Sequence, residues 1–141
     1  MTIIFDFNRT LYDPDTGSLV HGALELLADL AGQGAVLHLV SRIEPGRTDI
    51  LDALDVRNYF TTIAFVSDKT APIRTILASA TDDAYVVGDH LHDEVRAGNR
   101  YGAKTIWLKR GKFKHLMPLT EHDRPWRTAT DMQEVRRALF S

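Results

Sequence analysis

The chain contains no cysteine, which excludes disulfides, thiolate-ligated zinc and thiol catalysis and fits a reducing compartment. It has no excess of positive charge either: the formal net charge is −2, so it lacks the overall basic field of nucleic-acid binders. No apolar run approaches the ~20 residues of a membrane span, and the N-terminus has no features of a signal peptide. We therefore expect a cytoplasmic protein that does not contact a membrane.

The composition is that of a globular protein, with 44% hydrophobic and 26% charged residues among 141. No repeat, linker or low-complexity stretch divides the chain. A chain of this length commonly forms one domain. We predict a single domain over residues 1–141.

Short β-rich runs alternate with segments of helical periodicity. The predicted strands cover residues 3–5, 36–40, 62–66, 84–87 and 105–108. The predicted helices cover residues 22–33, 47–55, 70–80, 92–101 and 131–140. Strands that are apolar throughout and alternate with helices indicate an α/β fold: a three-layer α/β/α sandwich with a parallel, Rossmann-like sheet of about five strands.

Polar residues follow three of the predicted strands directly: Asp6, Ser41 and Asp89. In parallel sheets the functional site lies at the carboxyl ends of the strands. A carboxylate such as Asp6 can attack phosphorus, two carboxylates can hold Mg²⁺, and an ammonium such as that of Lys69 can pair with carboxylate and phosphate. Each residue alone also has an ordinary interpretation, as a turn, a helix cap or a solvated surface side chain.

Taken together, these segments resemble the motifs of the haloacid dehalogenase (HAD) superfamily. The segment 3–13, IIFDFNRTLYD, resembles the first motif, an apolar strand followed by Asp-x-Asp-x-Thr-Leu. Ser41 after its strand resembles the second motif, and Lys69 resembles the third. The segment 86–94, VVGDHLHDE, resembles the fourth motif. The resemblance extends over nearly the whole chain.

The resemblance implies a role for each matching position. Asp6 would be the nucleophile that carries an aspartyl-phosphate and also a ligand of Mg²⁺. The other implied metal ligands are the backbone carbonyl of Asn8, the carboxylate of Asp89 and one member of the following acidic pair. For that last place Asp93 is favoured by residue type, although the spacing of Glu94 also fits. The implied catalytic residues are Asp6, Asn8, Ser41 and Lys69, and the implied substrate-binding residues are Thr10, Ser41, Arg42 and Lys69.

The first motif departs from the family pattern at Asn8, where phosphatases have a second Asp that acts as general acid and base. A carboxamide cannot exchange a proton in that role. We therefore expect Mg²⁺-dependent phosphoryl transfer or phosphomonoester hydrolysis that is slow. The alternative is a catalytically impaired protein that binds a phosphorylated ligand or partner. His90 and His92 are candidate substitute acids.

The gaps between the motifs leave no room for a cap domain, so only a short flap over residues 11–20 can cover the site. An open site admits a large substrate or is closed by a second copy of the chain. A cluster of basic residues could attract a phosphorylated polyanion: Lys104, Lys109, Arg110, Lys112 and Lys114. Nucleic acid is a weak candidate because Phe113 is the only aromatic residue among them in the loop.

Overall fold

A computed structural model describes residues 1–140 of the chain. Its eight strands are β1 (Thr2–Phe5), β2 (Tyr12–Asp13), β3 (Ser18–Leu19), β4 (Val36–Arg42), β5 (Thr62–Val66), β6 (Ala84–Gly88), β7 (Lys104–Leu108) and β8 (Arg127–Ala129). Its five α-helices are α1 (Ala23–Gly32), α2 (Arg47–Ala53), α3 (Thr70–Ser79), α4 (Arg96–Arg100) and α5 (Met132–Phe140). A π-helical turn, Leu91–Val95, leads into α4.

Six of the strands form one parallel sheet in the order β5-β4-β1-β6-β7-β8. β1 lies at its centre, with Phe5 in register with Leu39 of β4 and with Val87 of β6. The residues that follow β1 and β6 therefore emerge side by side, next to the last residues of β4. This register is what brings the segments of the site together.

The strands are buried on both faces, as their uninterrupted apolar runs predict. On one face, Ile3 and Phe5 of β1 pack with the buried leucines of α1 and with Val135 and Leu139 of α5. On the other face, Ile4 packs with Ile73 of α3 and Ala97 of α4. Because neighbouring residues of a strand point to opposite faces, β1 contributes side chains to the apolar core on each side of the sheet. The prediction of three layers is confirmed.

All five predicted strands and the positions of the helices are confirmed, but the sheet has a sixth strand. β8 is only three residues long, and two of them are exposed, so its sequence carries no apolar run that would mark a strand. The hairpin of β2 and β3 was also not predicted as strands, because each has two residues. The predicted helix over 92–101 is divided between the π-helical turn and α4.

No cap domain is inserted at either of the two points considered from the sequence. Between β1 and β4 the described chain contains only the short hairpin and α1, and between β4 and α3 it contains α2, a 3₁₀ turn at Arg57–Tyr59 and β5. No helix in the described part of the chain combines the length and apolar character needed to cross a membrane.

Candidate active site

A cavity of about 350 Å³ opens at the carboxyl ends of β1, β4 and β6. Seven of the residues predicted to have a catalytic, substrate-binding or metal-binding role line it: Asp6, Asn8, Ser41, Arg42, Lys69, Asp89 and Asp93. They come from four segments that are distant in sequence, and only the parallel register of the sheet makes them neighbours. Six further residues that are described below also line the cavity.

Asp6 and Lys69 form a buried ion pair at the base of this cavity, with side chains only 5% exposed. Lys69 Nζ lies 2.7 Å from Asp6 Oδ1. Thr10 Oγ1 donates to the other carboxylate oxygen, Asp6 Oδ2, at 3.1 Å. Both oxygens of Asp6 are thus held in place. Burial alone would lower the pKa of Lys69, but Asp6 and Glu94 outweigh it and raise that pKa, so the ammonium stays charged.

A cluster of three buried carboxyl groups surrounds this ion pair: Asp6, Asp89 and Glu94 offer oxygen atoms within 4.8 Å of one another. Burial, followed by the charges of Asp6 and Glu94, raises the pKa of Asp89 to about 9. Burial, followed by the charge of Asp6, raises the pKa of Glu94 to about 7. Asp89 Oδ2 is buried without a hydrogen-bond partner. With all three groups ionised, the single ammonium of Lys69 would not balance their charge, so the cluster is short of positive charge.

The third carboxyl group of this cluster is Glu94, the alternative to Asp93, which we favoured by residue type. Asp93 also lines the cavity, with its Oδ2 3.9 Å from Lys69 Nζ, and its role as a metal ligand stays a prediction. Glu94 Oε1 accepts from the backbone N–H groups of Asp89 and His90, at 3.0 and 3.2 Å. Its other oxygen lies 3.3 Å from Lys69 Nζ. Asp93 instead accepts from Arg42 Nε and Nη2, at 3.1 and 2.9 Å.

Gly88 explains how Glu94 reaches this position. A Cβ atom on Gly88 would lie 2.2 Å from Glu94 Oε1, so only glycine leaves room for the carboxylate against the end of β6. The π-helical turn of residues 91–95 supplies the matching backbone geometry, which is typical of functional sites. The sequence contains the glycine, but it does not show which acid packs against it.

Ser41 and Thr10 differ in how they relate to the cavity. Ser41 is 1% exposed and lines the cavity, and the contact of its hydroxyl with the carbonyl of Arg42 is long, at 3.5 Å. Thr10 is fully buried, does not line the cavity and donates to Asp6. The resemblance also implies that Thr10 braces the loop of the first motif, and in the structure its hydroxyl positions the Asp6 carboxylate; substrate binding by Thr10 stays a prediction.

Arg47 is a cavity residue that the sequence analysis missed. It begins α2, is only 5% exposed, and its Nη1 donates to Asn8 Oδ1 at 3.3 Å. Its Nη2 pairs with Glu44 at 2.5 Å, and its Nε is buried without a partner. In the sequence it looks like an ordinary polar residue of a helix. Because Arg47 can only donate, the Asn8 side-chain atom that faces it is the amide oxygen, and the N–H₂ group of Asn8 faces away from Arg47.

The two histidines after Asp89 have different surroundings. His90 lines the cavity and packs against Phe113 at 4.3 Å between ring centroids. Its Nδ1 accepts from the backbone N–H of His92 at 3.2 Å, and burial lowers its pKa. His92 does not line the cavity, and its ring bonds to the carbonyl of Met117 at 2.7 Å. Of the two predicted proton donors, only His90 therefore lines the cavity.

Three of the basic residues predicted to form one cluster lie together in the structure. Arg110, Lys112 and Lys114 line a second cavity beside the first, together with Arg9, and Lys112 and Arg9 also line the first cavity. Lys104 begins β7, at the opposite end of the sheet. The predicted flap over residues 11–20 does not line the first cavity; its hairpin borders the second one.

Comparison with known proteins agrees with this geometry. Residues 61–135, more than half of the chain, match the HAD-hydrolase-like family. No curated protein is similar enough in sequence to count as a match. Among solved structures, the D,D-heptose 1,7-bisphosphate phosphatase from B. bronchiseptica, determined with magnesium and phosphate, is 16% identical with a TM-score of 0.76, and the alignment covers 99% of this chain and 97% of that one.

Two further structures have the same fold. A HAD-superfamily hydrolase from Ehrlichia chaffeensis is 14% identical, with a TM-score of 0.71 and coverage of 99% of this chain and 95% of that one. An uncharacterized protein from Listeria monocytogenes serotype 4b is 19% identical, with a TM-score of 0.75 and coverage of 99% and 97%. The chain belongs to the HAD-like family, as its motifs predicted, and it has the capless form of the fold.

Proposed function

We propose that this protein transfers a phosphoryl group from a phosphomonoester to Asp6 with the help of Mg²⁺ and that it hydrolyses the resulting aspartyl-phosphate slowly. One observation carries the proposal: the Asp6 carboxylate lies at the base of a polar cavity, fixed by Lys69 and Thr10. A strand-end carboxylate held in this way can act as a nucleophile. Solved structures of the same fold include a phosphatase determined with magnesium and phosphate.

The donor set fits Mg²⁺. The cluster of Asp6, Asp89 and Glu94 consists of oxygen ligands, which this hard cation prefers. Asp89 Oδ2, which is buried without a partner, is the strongest indication that a cation belongs there. Asp6 and Asp89 would hold the ion, with Glu94 beside them. The bound Mg²⁺ would offset negative charge on the phosphoryl group.

The residues of the chain have distinct tasks in this reaction. One oxygen of Asp6 forms a bond to phosphorus while the bond from phosphorus to the leaving oxygen breaks. Ser41 Oγ and Lys69 Nζ donate hydrogen bonds to the phosphoryl oxygens. In the second step a water molecule attacks the aspartyl-phosphate, which releases phosphate and regenerates Asp6.

Neither step has an obvious proton carrier within the first motif. Asn8 cannot donate a proton to the leaving oxygen or accept one from water, and its amide oxygen is already bonded to Arg47. General acid–base catalysis contributes roughly 10²–10⁴ in rate. This is the observation that favours the second candidate function, binding of a phosphorylated ligand without turnover.

The test is release of phosphate from p-nitrophenyl phosphate in the presence of Mg²⁺, with wild type, D6N and N8D compared. D83N is the matched control for D6N, and N58D is the matched control for N8D, since Asp83 and Asn58 are both exposed and lie outside the cavity. We expect weak activity in wild type, none in D6N, and unchanged activity in both controls. N8D should raise the rate about tenfold or more.

Two results would decide against parts of the proposal. Activity that survives in D6N would exclude Asp6 as the nucleophile. A silent wild type together with an active N8D would show that the site is complete apart from its proton carrier, and binding without turnover would then be the better description.

A further inference from the structure

A second cavity lies directly beside the first and shares two residues with it, Arg9 and Lys112. It has a volume of about 460 Å³. The hairpin of β2 and β3 borders it on one side, through Asp13 and Asp15. The loop after β7 borders it on the other side. The two cavities are therefore neighbours, and Arg9 and Lys112 contribute to the walls of both.

Four cations line this second cavity: Arg9, Arg110, Lys112 and Lys114. Within residues 1–140, none of their side chains forms an ion pair or a hydrogen bond to a protein group. Arg9 and Lys112 rest on the ring of Phe113, at 5.9 and 5.4 Å from its centroid. Unpaired cations gathered around a concave surface are suited to binding an anion.

The backbone of Arg9 supports a role in ligand binding. Its φ is 63°, a left-handed conformation that costs a non-glycine residue about 1 kcal/mol or more. The conformation is held by a hydrogen bond of 2.7 Å from its N–H to the carbonyl of Tyr12. It places the side chain between the two cavities, with Cδ close to Gly111. Strain of this kind is concentrated at functional sites.

The acidic residues of the hairpin limit the size of the anion. Asp13 and Asp15 line the same cavity, and Asp13 Oδ1 already accepts from the backbone N–H of Asp15 at 2.9 Å. Four cations against two carboxylates leave a net positive charge. The carboxylates would nevertheless repel an extended polyanion that continued past the hairpin.

We propose that the second cavity is an anion subsite and that the substrate is a small phosphomonoester with a second anionic group, either phosphate or carboxylate. The phosphomonoester group would lie over Asp6, and the second anion would contact Arg110 and Lys114. Arg9 and Lys112 would lie between the two anions. This inference rests on the proposed function, and it narrows the expected substrate from a polyanion to a compact molecule with two anionic groups.

The experiment uses a series of alkanediol bisphosphates of increasing length, with the hydroxyalkyl monophosphates that lack only the second phosphate. Carboxyalkyl phosphates of the same lengths distinguish a carboxylate from a phosphate. The variant R110Q/K114Q changes residues that line only the second of these cavities. The control R100Q/K104Q makes the same change of charge at Arg100, which ends α4, and Lys104, which begins β7.

We expect wild type to prefer the best bisphosphate or carboxyalkyl phosphate over its monophosphate in kcat/KM. R110Q/K114Q should lower that ratio by about tenfold, the effect of losing two partly exposed charge pairs. The control should leave the ratio unchanged. Equal kcat/KM for substrates with one and with two anionic groups at every length would overturn the subsite. Equal loss in both variants, or a preference for a 5′-phosphorylated oligonucleotide, would also overturn it.

Binding to D6N, measured by isothermal titration calorimetry, separates this inference from the proposed function. If no substrate is turned over but the bisphosphates bind more tightly than the monophosphates, the subsite stands and the catalytic proposal fails. If substrates are turned over but both classes bind equally, the catalytic proposal stands and the subsite fails.

Discussion

Replacing Asp89 by asparagine is expected to stabilise the protein in the absence of metal. The Asp89 carboxyl group is 3% exposed, and burial, followed by Asp6 and Glu94, raises its pKa to about 9. In an unfolded chain the same group has a pKa of about 3.9. Between these two values the folded protein retains a proton that the unfolded chain releases. Stability therefore falls as the pH rises through this window, because the folded state binds more protons.

The size of the effect follows from that window. Each rise of one pH unit within this window lowers the free energy of unfolding by up to about 1.4 kcal/mol. Asparagine is neutral at every pH, and its N–H₂ can donate to Asp6 as the protonated carboxyl does. At pH 8 in EDTA, D89N should therefore be more stable than wild type by about 2–4 kcal/mol, equivalent to a rise in Tm of roughly 6–12 °C.

The assay is urea and thermal unfolding in EDTA between pH 7 and pH 8.5, above the raised pKa of Glu94. Wild type should lose stability across this range, and D89N should not. Mg²⁺ at one thousand times its Kd should cancel or reverse this order, because it would stabilise wild type by about 4.1 kcal/mol, whereas D89N has only a neutral amide oxygen at this position. The exposed D83N variant is the charge-matched control. A metal-free D89N that is less stable than wild type, or has the same dependence on pH, would refute the reasoning.

Two further predictions concern Asp123 and Gly88. Asp123 is fully buried and accepts from Arg96 Nε and Nη2, at 2.6 and 3.0 Å, and these bonds hold its pKa well below the usual range. D123N should cost about 2 kcal/mol in urea unfolding at pH 7. Because the pKa is lowered, that difference should shrink as the pH falls below ~4; an equal loss at pH 7 and pH 3 would contradict the ion-pair explanation. G88A should displace Glu94 and abolish the rise in Tm on adding Mg²⁺. The control G32A should keep that rise, because a methyl group added at Gly32 meets nothing within 4 Å. A normal Mg²⁺ response in G88A would show that Glu94 is not needed at the cluster.

Arg47 also changes what is expected of the engineered N8D variant. A carboxylate at position 8 would lie beside the Arg47 guanidinium, whose Nη1 is 3.3 Å from the present amide oxygen. That cation favours the ionised form and weakens the group as a proton donor. The gain in N8D should therefore lie toward the lower end of the range for general acid–base catalysis.

The amino-acid sequence by itself determined the architecture and the position of the site. Continuous apolar runs such as residues 3–5 can only be buried on both faces, and their alternation with helical periods leads to a parallel sheet between two helical layers. The polar residue after each run, Asp6 or Asp89, then has to lie at the carboxyl edge. These conclusions depend on local patterns of residue type, which can be recognised in the sequence itself.

Only the tertiary structure decided which of two adjacent acidic residues joins Asp6 and Asp89 in the carboxyl cluster. Asp93 and Glu94 are adjacent in sequence and chemically alike, and a π-helical turn together with the space above Gly88 places Glu94 in the cluster. The burial of Arg47 against Asn8 likewise depends on how α2 packs. The second cavity exists because the β2–β3 hairpin and the loop after β7 meet in space. Such contacts are set by packing between distant segments, and no periodicity in the sequence records them.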